Sequence, residues 1–220
     1  MGIRGSVKLA LLAEGAGELG SGFPSRPGDI LPEQILGAGH ALVRRMFASN
    51  GGLPEKAIVF LAPLRTPRGR EPRGSDLTVS SDLRRLLSWP RVEHAPHASV
   101  VLLDDDDDEG IARELSEEIG ETLPPSTIIA AVPEFEAWLL VDHDALQRVL
   151  GAKFDKPPER FGRDDAKARL QNLCSTHRPE TSYSTLAREI AQELDLTLAA
   201  RLPSFLRAHQ AVRAIAQRLR

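Results

Sequence analysis

Residues 98–110 read Ala-Ser-Val-Val-Leu-Leu-Asp-Asp-Asp-Asp-Asp-Glu-Gly, and the prediction of the fold starts from them. Val100 to Leu103 is an unbroken run of β-prone apolar residues, which predicts a strand buried on both faces, as in a parallel sheet. Five aspartates, Asp104 to Asp108, follow directly. An acidic run is most often a solvated loop or tail, but this one lies between a predicted buried strand and a predicted helix. It therefore falls at the carboxyl end of a strand, where open α/β sheets bind ligands.

The apolar and charged residues elsewhere predict an alternation of strands and helices. Strands are predicted over residues 7–13, 56–62, 100–103 and 126–132, and helices between them over residues 32–49, 82–89 and 110–123. This β-α-β order predicts a parallel sheet of about four strands with right-handed crossovers, an α/β fold. The rest of the chain predicts helices near residues 144–150, 165–174, 184–194 and 203–219. We therefore expect an α/β domain over residues 1–140 and a helical extension over residues 141–220 that packs on it.

Composition narrows the class of protein. The chain has 220 residues, of which 41% are hydrophobic, enough for one compact domain with a small appendage. Its single cysteine, Cys174, excludes an intramolecular disulfide and a cysteine-based zinc site. No segment approaches the roughly 20 apolar residues of a membrane helix, and the N-terminus lacks a signal-peptide pattern. These features predict a cytoplasmic protein that does not associate with membranes.

Charge is distributed unevenly around a net value of −3. Residues 1–150 contain 15 Lys and Arg against 23 Asp and Glu, a net of −8, whereas residues 151–220 contain 13 against 8, a net of +5. A negative sheet domain with a positive C-terminal part would suit a metal enzyme that acts on a polyanion. The same asymmetry would also suit an acidic interaction module, and it could equally have no functional meaning.

Carboxylates follow three of the four predicted strands, and in a parallel sheet these ends share one edge. Glu14 follows the first strand, and Glu134 and Glu136 follow the fourth. After the third, Asp104 and Asp106 point to the same side, so they could share one cation with Asp108 nearby. Crowded carboxylates repel one another unless a cation lies between them, and Mg²⁺ takes oxygen ligands.

Two choices within these acidic groups stay open in the sequence. If the third strand ends one residue later, Asp105 and Asp107 would serve instead of their neighbours. Glu134 and Glu136 point about 200° apart on a helix, so we expect only one to face the metal. Glu134 is favoured because it lies nearest the strand end, with Glu136 as an ordinary charge in the first turn of a helix.

A basic loop follows the second predicted strand. It contains four arginines among prolines and glycines, namely Arg65, Arg68, Arg70 and Arg73. These could bind phosphates of a nucleic acid or form a solvated surface loop.

Neither a P-loop nor a dinucleotide-binding glycine motif is present, since Gly15-Ala-Gly17 lacks the third glycine.

Glu14-Gly15, Asp104-x-Asp106 and the order of strands and helices resemble the Toprim (topoisomerase–primase) domain. That domain occurs in topoisomerases, bacterial primases and overcoming-lysogenisation-defect nucleases. A second set of motifs resembles the bacterial Toprim-like domain-of-unknown-function 4276 family, whose members often lie beside ABC-type ATPases in loci suspected of phage defence. These motifs are Glu14-Gly-x-x-Glu18, Glu134-Phe-Glu136-Ala-Trp138, Asp165-x-Lys167 and Ser204-Phe205.

The resemblance implies roles for individual residues. Glu14 would be the general acid/base or a metal ligand, and Asp104 and Asp106 would bind Mg²⁺ (or Mn²⁺) with Asp108 as an auxiliary ligand. Glu134 or Glu136 would complete the site. Glu18 could support a metal ligand or be an ordinary helix charge, and Lys167 could contact a phosphate or be solvated.

Three functions are compatible with these residues. The first is a Mg²⁺-dependent nuclease that hydrolyses phosphodiesters of DNA or RNA as the effector partner of an ABC-type ATPase. The second is a catalytically silent interaction subunit of such a complex. A phosphoacceptor receiver domain is disfavoured, because it requires an acidic pair after the first strand and a lysine after a fifth strand.

Overall fold

A computed structural model of the chain describes residues 6–20, 26–90, 94–105, 110–155 and 165–219. Four strands form one sheet: β1 (Val7–Ala13), β2 (Ile58–Leu61), β3 (Ala98–Asp104) and β4 (Ser126–Ala131). The strand order is β2-β1-β3-β4 and every pairing is parallel. The prediction of an α/β fold with a parallel sheet of about four strands is therefore confirmed, and the architecture is consistent with a Rossmann-like fold.

Helices flank the sheet and make up the C-terminal part of the chain. They are α1 (Ala16–Leu19), α2 (Ala38–Gly51), α3 (Ser75–Thr78), α4 (Ser80–Leu87), α5 (Gly110–Ile119), α6 (Phe135–Leu140), α7 (His143–Leu150), α8 (Asp165–His177), α9 (Tyr183–Glu193), α10 (Leu196–Ala199) and α11 (Pro203–Arg218). Single 3-10 turns occur at Glu33–Ile35 and Glu55–Ala57. Among the described residues, no helix combines the length and the apolar character that crossing a membrane would require.

Several predicted boundaries are wrong, and local backbone geometry explains two of them. The first long helix begins at Ala38 rather than at residue 32, because Leu36 and Gly37 adopt extended backbone angles after the 3-10 turn. The third helix ends at Ile119 rather than at residue 123, because Gly120 has a φ of 65° that stops the helix. The second strand begins at Ile58, after the 3-10 turn that occupies residues 55–57.

Apolar side chains on alternate strand positions build a core on each face of the sheet. Leu9 and Leu11 of β1 lie in the larger core with α2, α6 and the C-terminal helices, whereas Leu12 lies in the smaller core with α3, α4 and α5. On β3, Val100 and Leu102 face the larger core and the residues that follow each of them face the smaller one. This alternation is the two-residue period of a strand that is buried on both sides.

The order of strands creates a crevice between β1 and β3. Helix α2, which follows β1, packs on one face of the sheet, and α5, which follows β3, packs on the other. Because the chain leaves two adjacent strands toward opposite faces, their carboxyl ends form a topological switch point, the usual ligand position in open α/β sheets.

The helices after residue 140 share the larger core with the sheet. Trp138 of α6 is buried and its indole Nε1–H donates to Ser204 Oγ at 2.9 Å, while its ring packs edge-on against Phe205, 5.2 Å between ring centroids. Helix α6, which follows β4, is thereby fixed between the sheet and α11. This matters for the site below, because α6 carries one of its acidic residues.

Candidate metal centre

Three carboxylates from separate parts of the chain meet at the switch point. Glu18 lies on α1, Asp104 is the last residue of β3, and Glu136 lies on α6. One oxygen of each lies within 4.8 Å of the others. Glu18 and Glu136 are 3% and 1% exposed, and Asp104 is half-buried. We call these three residues the acidic cluster.

Glycines allow α1 to place Glu18 in the cluster. Strand β1 ends at Ala13, and the end of α1 is joined to the start of α2 by the Gly37 N–H, which donates to the Leu19 carbonyl oxygen at 3.2 Å. A Cβ atom at Gly15 would overlap the Glu18 carboxylate, and one at Gly37 would overlap the backbone of Glu18 and Gly20. The absence of side chains at these positions is therefore what lets the backbone segments approach closely enough to bury Glu18.

Replacing Gly37 with alanine is expected to lower the free energy of unfolding by about 1–3 kcal/mol, the usual cost of overpacking, and to weaken cation binding because Glu18 must move. Urea denaturation and calorimetric titration with Mn²⁺ measure the two effects. Gly110→Ala is the matched control, since a Cβ there would meet no atom of the described residues within 4 Å. Equal stability and cation affinity in both variants would show that the close approach at Gly37 does not position Glu18.

Asp104 and Asp105 point to opposite sides of the strand end. The Phe135 backbone N–H donates to Asp104 Oδ1 at 2.8 Å, which ties Asp104 to the start of α6. Asp105 is buried and its Oδ2 accepts from the Ile111 backbone N–H at 3.2 Å, at the start of α5. Of these two neighbours, Asp104 is the one that lies in the cluster. Asp106, Asp107 and Asp108 lie outside the described residues, so the predicted pairing of Asp104 with Asp106 or Asp108 stays a prediction.

Glu136 rather than Glu134 joins the cluster. Tyr183 donates its hydroxyl to Glu136 Oε1 at 2.8 Å, and Lys167 Nζ lies 3.8 Å from the same oxygen. Glu134, also buried, accepts a hydrogen bond from the Lys167 backbone N–H at 2.7 Å and so fixes the start of α8. The cluster thus depends on residues of α8 and α9 as well as on the sheet.

Electrostatic effects in the cluster follow from burial and from like charges. Burial, reinforced by the charges of Glu18, Glu136 and Glu14, raises the pKa of Asp104 to about 8. Burial and the charge of Glu136 also raise the pKa of Glu18. Without a cation, the cluster therefore favours retaining a proton at neutral pH.

The two groups that contact Glu136 also have altered pKa values. Burial alone would lower the pKa of Lys167, but Glu136, Glu18, Asp104 and Glu134 together raise it, so its ammonium stays charged. Burial, together with the charge of Glu136, raises the pKa of Tyr183, so its hydroxyl stays a hydrogen-bond donor.

Two buried oxygens of the cluster have no hydrogen-bond partner among the described residues. They are Glu18 Oε2 and Glu136 Oε2. A buried carboxylate oxygen without a donor carries a large desolvation cost, which a cation between the carboxylates would offset. The donors are all oxygens, the ligand type that Mg²⁺, Mn²⁺ and Ca²⁺ prefer. The acidic cluster could therefore hold a metal ion.

The other predicted site residues lie around this edge. Glu14 is half-buried, and its charge contributes to the raised pKa of Asp104, but it is not among the three carboxylates that meet. The basic loop follows β2 at the same edge. Arg65 donates to the Gly69 carbonyl oxygen, Arg70 pairs with Asp76 at 2.7 Å, Arg73 pairs with Glu71 at 2.9 Å, and Arg68 is exposed.

Comparisons of the chain with protein-family models, with curated proteins and with solved structures found no match. The function is therefore inferred from the geometry of the acidic cluster and from the resemblance described above.

Proposed function

We propose that the protein is a metal-dependent Toprim-type nuclease that hydrolyses phosphodiesters of DNA or RNA with Mg²⁺ or Mn²⁺. The observation that supports this most is the acidic cluster at the switch point, with two buried carboxylate oxygens that lack hydrogen-bond partners. A purely structural role would not explain why three acidic side chains converge where their mutual repulsion is strongest. A bound divalent cation would activate water and stabilise the charge on the leaving oxygen.

The residues of the chain have distinct roles in this proposal. Glu18, Asp104 and Glu136 hold the cation, and the Tyr183 hydroxyl orients Glu136 by donating to its Oε1. The Lys167 ammonium, whose side chain is 43% exposed beside Glu136, contacts a phosphate oxygen of the substrate. Glu14, half-buried at the same edge, exchanges protons with the attacking water or the leaving group.

The wider context of the proposal comes from the family resemblance. A nuclease of this type would act in the cytoplasm as the effector of an ABC-type ATPase in a phage-defence system. The arginines of the basic loop would bind the nucleic-acid backbone beyond the cleaved bond. Arg68 is the best placed for this role, because Arg70 and Arg73 are each paired with a neighbouring acid.

A cleavage assay and a cation titration together test the proposal. Labelled single-stranded and duplex DNA and RNA are incubated with the full chain and Mg²⁺, Mn²⁺ or EDTA, and cation binding is measured by calorimetry. We expect cleavage with either cation, none with EDTA, and a dissociation constant between micromolar and millimolar. Absence of both binding and cleavage would overturn the proposal in favour of the silent interaction subunit.

A further inference from the structure

A second feature borders Tyr183, the residue that donates to Glu136 of the acidic cluster: a surface cavity of about 470 Å³ between α8 and the segment that leads into α9. Its volume falls within the range of about 300–1,000 Å³ that is typical of small-molecule sites. Its lining includes Ala168, Gln171, Asn172, Ser175, Thr181 and Tyr183. The proposed function does not use this cavity.

Among the described residues, the lining is mostly apolar, with uncharged amide and hydroxyl groups and no acidic or basic side chain. Amide and hydroxyl groups of Gln171, Asn172 and Thr181 provide both hydrogen-bond donors and acceptors. Cys174 also lines the cavity, and because burial raises the pKa of its thiol to about 11, it is neutral as well. Such a surface suits a flat, neutral heterocycle with donors and acceptors on its edge, and it does not suit a phosphate or a carboxylate.

Tyr183 joins the cavity to the acidic cluster. Its side chain borders the cavity and its hydroxyl donates to Glu136 Oε1 at 2.8 Å. Lys167, the neighbour of Ala168 on α8, lies 3.8 Å from the same oxygen. A ligand in the cavity is therefore separated from the cluster by about one aromatic side chain, a span comparable to that between the base and the phosphate of one nucleotide.

We propose that this cavity binds the nucleobase adjacent to the phosphate that lies at the acidic cluster. This inference rests on the proposed function and adds a substrate class, a strand whose base is unpaired. Aromatic side chains support bases by stacking, and amides bond to base edges that a duplex would hide. A base within a duplex would have to leave its stack to enter, so single strands are preferred.

Blocking the cavity tests the inference. Ala168→Phe fills the cavity from an exposed helical position, and Ala214→Phe makes the same change at an exposed position of α11. Binding of adenosine 5′-monophosphate and of ribose 5-phosphate is measured by calorimetry with Ca²⁺ present. We expect wild type and Ala214→Phe to bind the nucleotide about 10-fold more tightly than the sugar phosphate, in line with base stacking. Ala168→Phe should lose this difference and keep its affinity for Ca²⁺.

A second variant and a second assay make the outcome decisive. Gln171→Leu removes an amide without filling space and should also reduce nucleotide affinity, and melting temperatures confirm that each variant is folded. Wild type should cleave single strands at least about 10-fold faster than duplexes, and Ala168→Phe should not. If the protein binds cations and cleaves but treats both ligands and both substrates alike, the inference is wrong and the proposed function stands. Failure of wild type to bind cations or to cleave would overturn both.

Discussion

Asp104→Asn is expected to lose cation binding and to reduce cleavage at least about 100-fold, because an amide cannot replace the charge that a Mg²⁺ site requires. The same change should stabilise the metal-free protein. Asparagine has the shape of aspartate, and its side-chain oxygen can still accept the hydrogen bond from the Phe135 N–H. It removes a buried negative charge that lies beside Glu18 and Glu136.

The gain in stability can be bounded from the pKa of Asp104. Raising that pKa from 3.8 to about 8 corresponds to several kcal/mol of unfavourable interaction when the group is ionised. We expect Asp104→Asn to raise the free energy of unfolding at pH 8 by roughly 2–5 kcal/mol in EDTA. Urea denaturation and the cleavage assay measure the two effects. Asp82→Asn, at an exposed acid on α4, is the control and should change neither.

Two results would contradict this prediction. An Asp104→Asn protein that cleaves as fast as wild type would show that the acidic cluster is not the reaction centre. An Asp104→Asn protein that loses cleavage but is also less stable than wild type in EDTA would show that the Asp104 carboxylate stabilises the metal-free fold. The electrostatic repulsion assigned to the acidic cluster would then be absent.

The metal-free protein should become less stable as the pH rises from about 4 to about 8. Asp104 has an ordinary pKa of 3.8 when unfolded and about 8 when folded, so over this interval the unfolded chain releases a proton that the folded chain retains. The contribution of Asp104 to the free energy of unfolding is therefore complete below its unfolded pKa of 3.8 and is lost above its folded pKa of about 8. The raised pKa of Glu18 acts in the same direction.

A divalent cation should reverse this trend. It binds the ionised cluster, so it competes with the proton, and the rise in melting temperature with Mg²⁺ or Mn²⁺ should be larger at pH 8 than at pH 6. Scanning calorimetry between pH 6 and pH 9, with the cation or with EDTA, measures this. Titration in two buffers of different ionisation enthalpy should show proton release on binding. A wild-type profile in EDTA that parallels that of Asp104→Asn would refute the assignment.

The sheet could be predicted from sequence because its signals are local. Val100 to Leu103 is apolar without interruption, and such a run has few alternatives to a strand that is buried on both faces. Parallel topology then predicted that the acids after these strands would share one edge of the sheet. In the structure Asp104 lies together with one carboxylate from the segment after β1 and one from the segment after β4.

The identity of the partner acids could not be predicted in the same way. Glu134 was favoured because it lies closer to the strand, but its backbone is extended, so its side chain leaves before α6 begins and accepts from the start of α8. A signal for Glu136 was present: it is the only charge within the otherwise apolar α6, whose residues are all buried. For Glu18 the motif resemblance left two readings open, a support for a metal ligand or an ordinary helix charge. Its place in the cluster could not be predicted, because its burial depends on Gly37, which is distant in sequence.

The contacts of Lys167 and Tyr183 with Glu136 could not be predicted from the sequence, for a different reason. Helical periodicity indicated α8 and α9, but it carries no information about which end of these helices approaches the sheet. Tyr183 is the first residue of α9, and it reaches Glu136 only because α6 is fixed between the sheet and α11. Contacts between residues so far apart follow from tertiary packing, which sequence patterns do not specify.

The dependence of Glu136 on later helices has a consequence for protein synthesis. A ribosome that has released only the sheet and α6 has made all three acids but not the lysine and tyrosine that hold one of them, nor the tryptophan's partner on α11. The completed centre therefore requires that synthesis has passed α8, α9 and α11. A cleaving activity of the kind proposed above would then be withheld until these helices have been made and have folded.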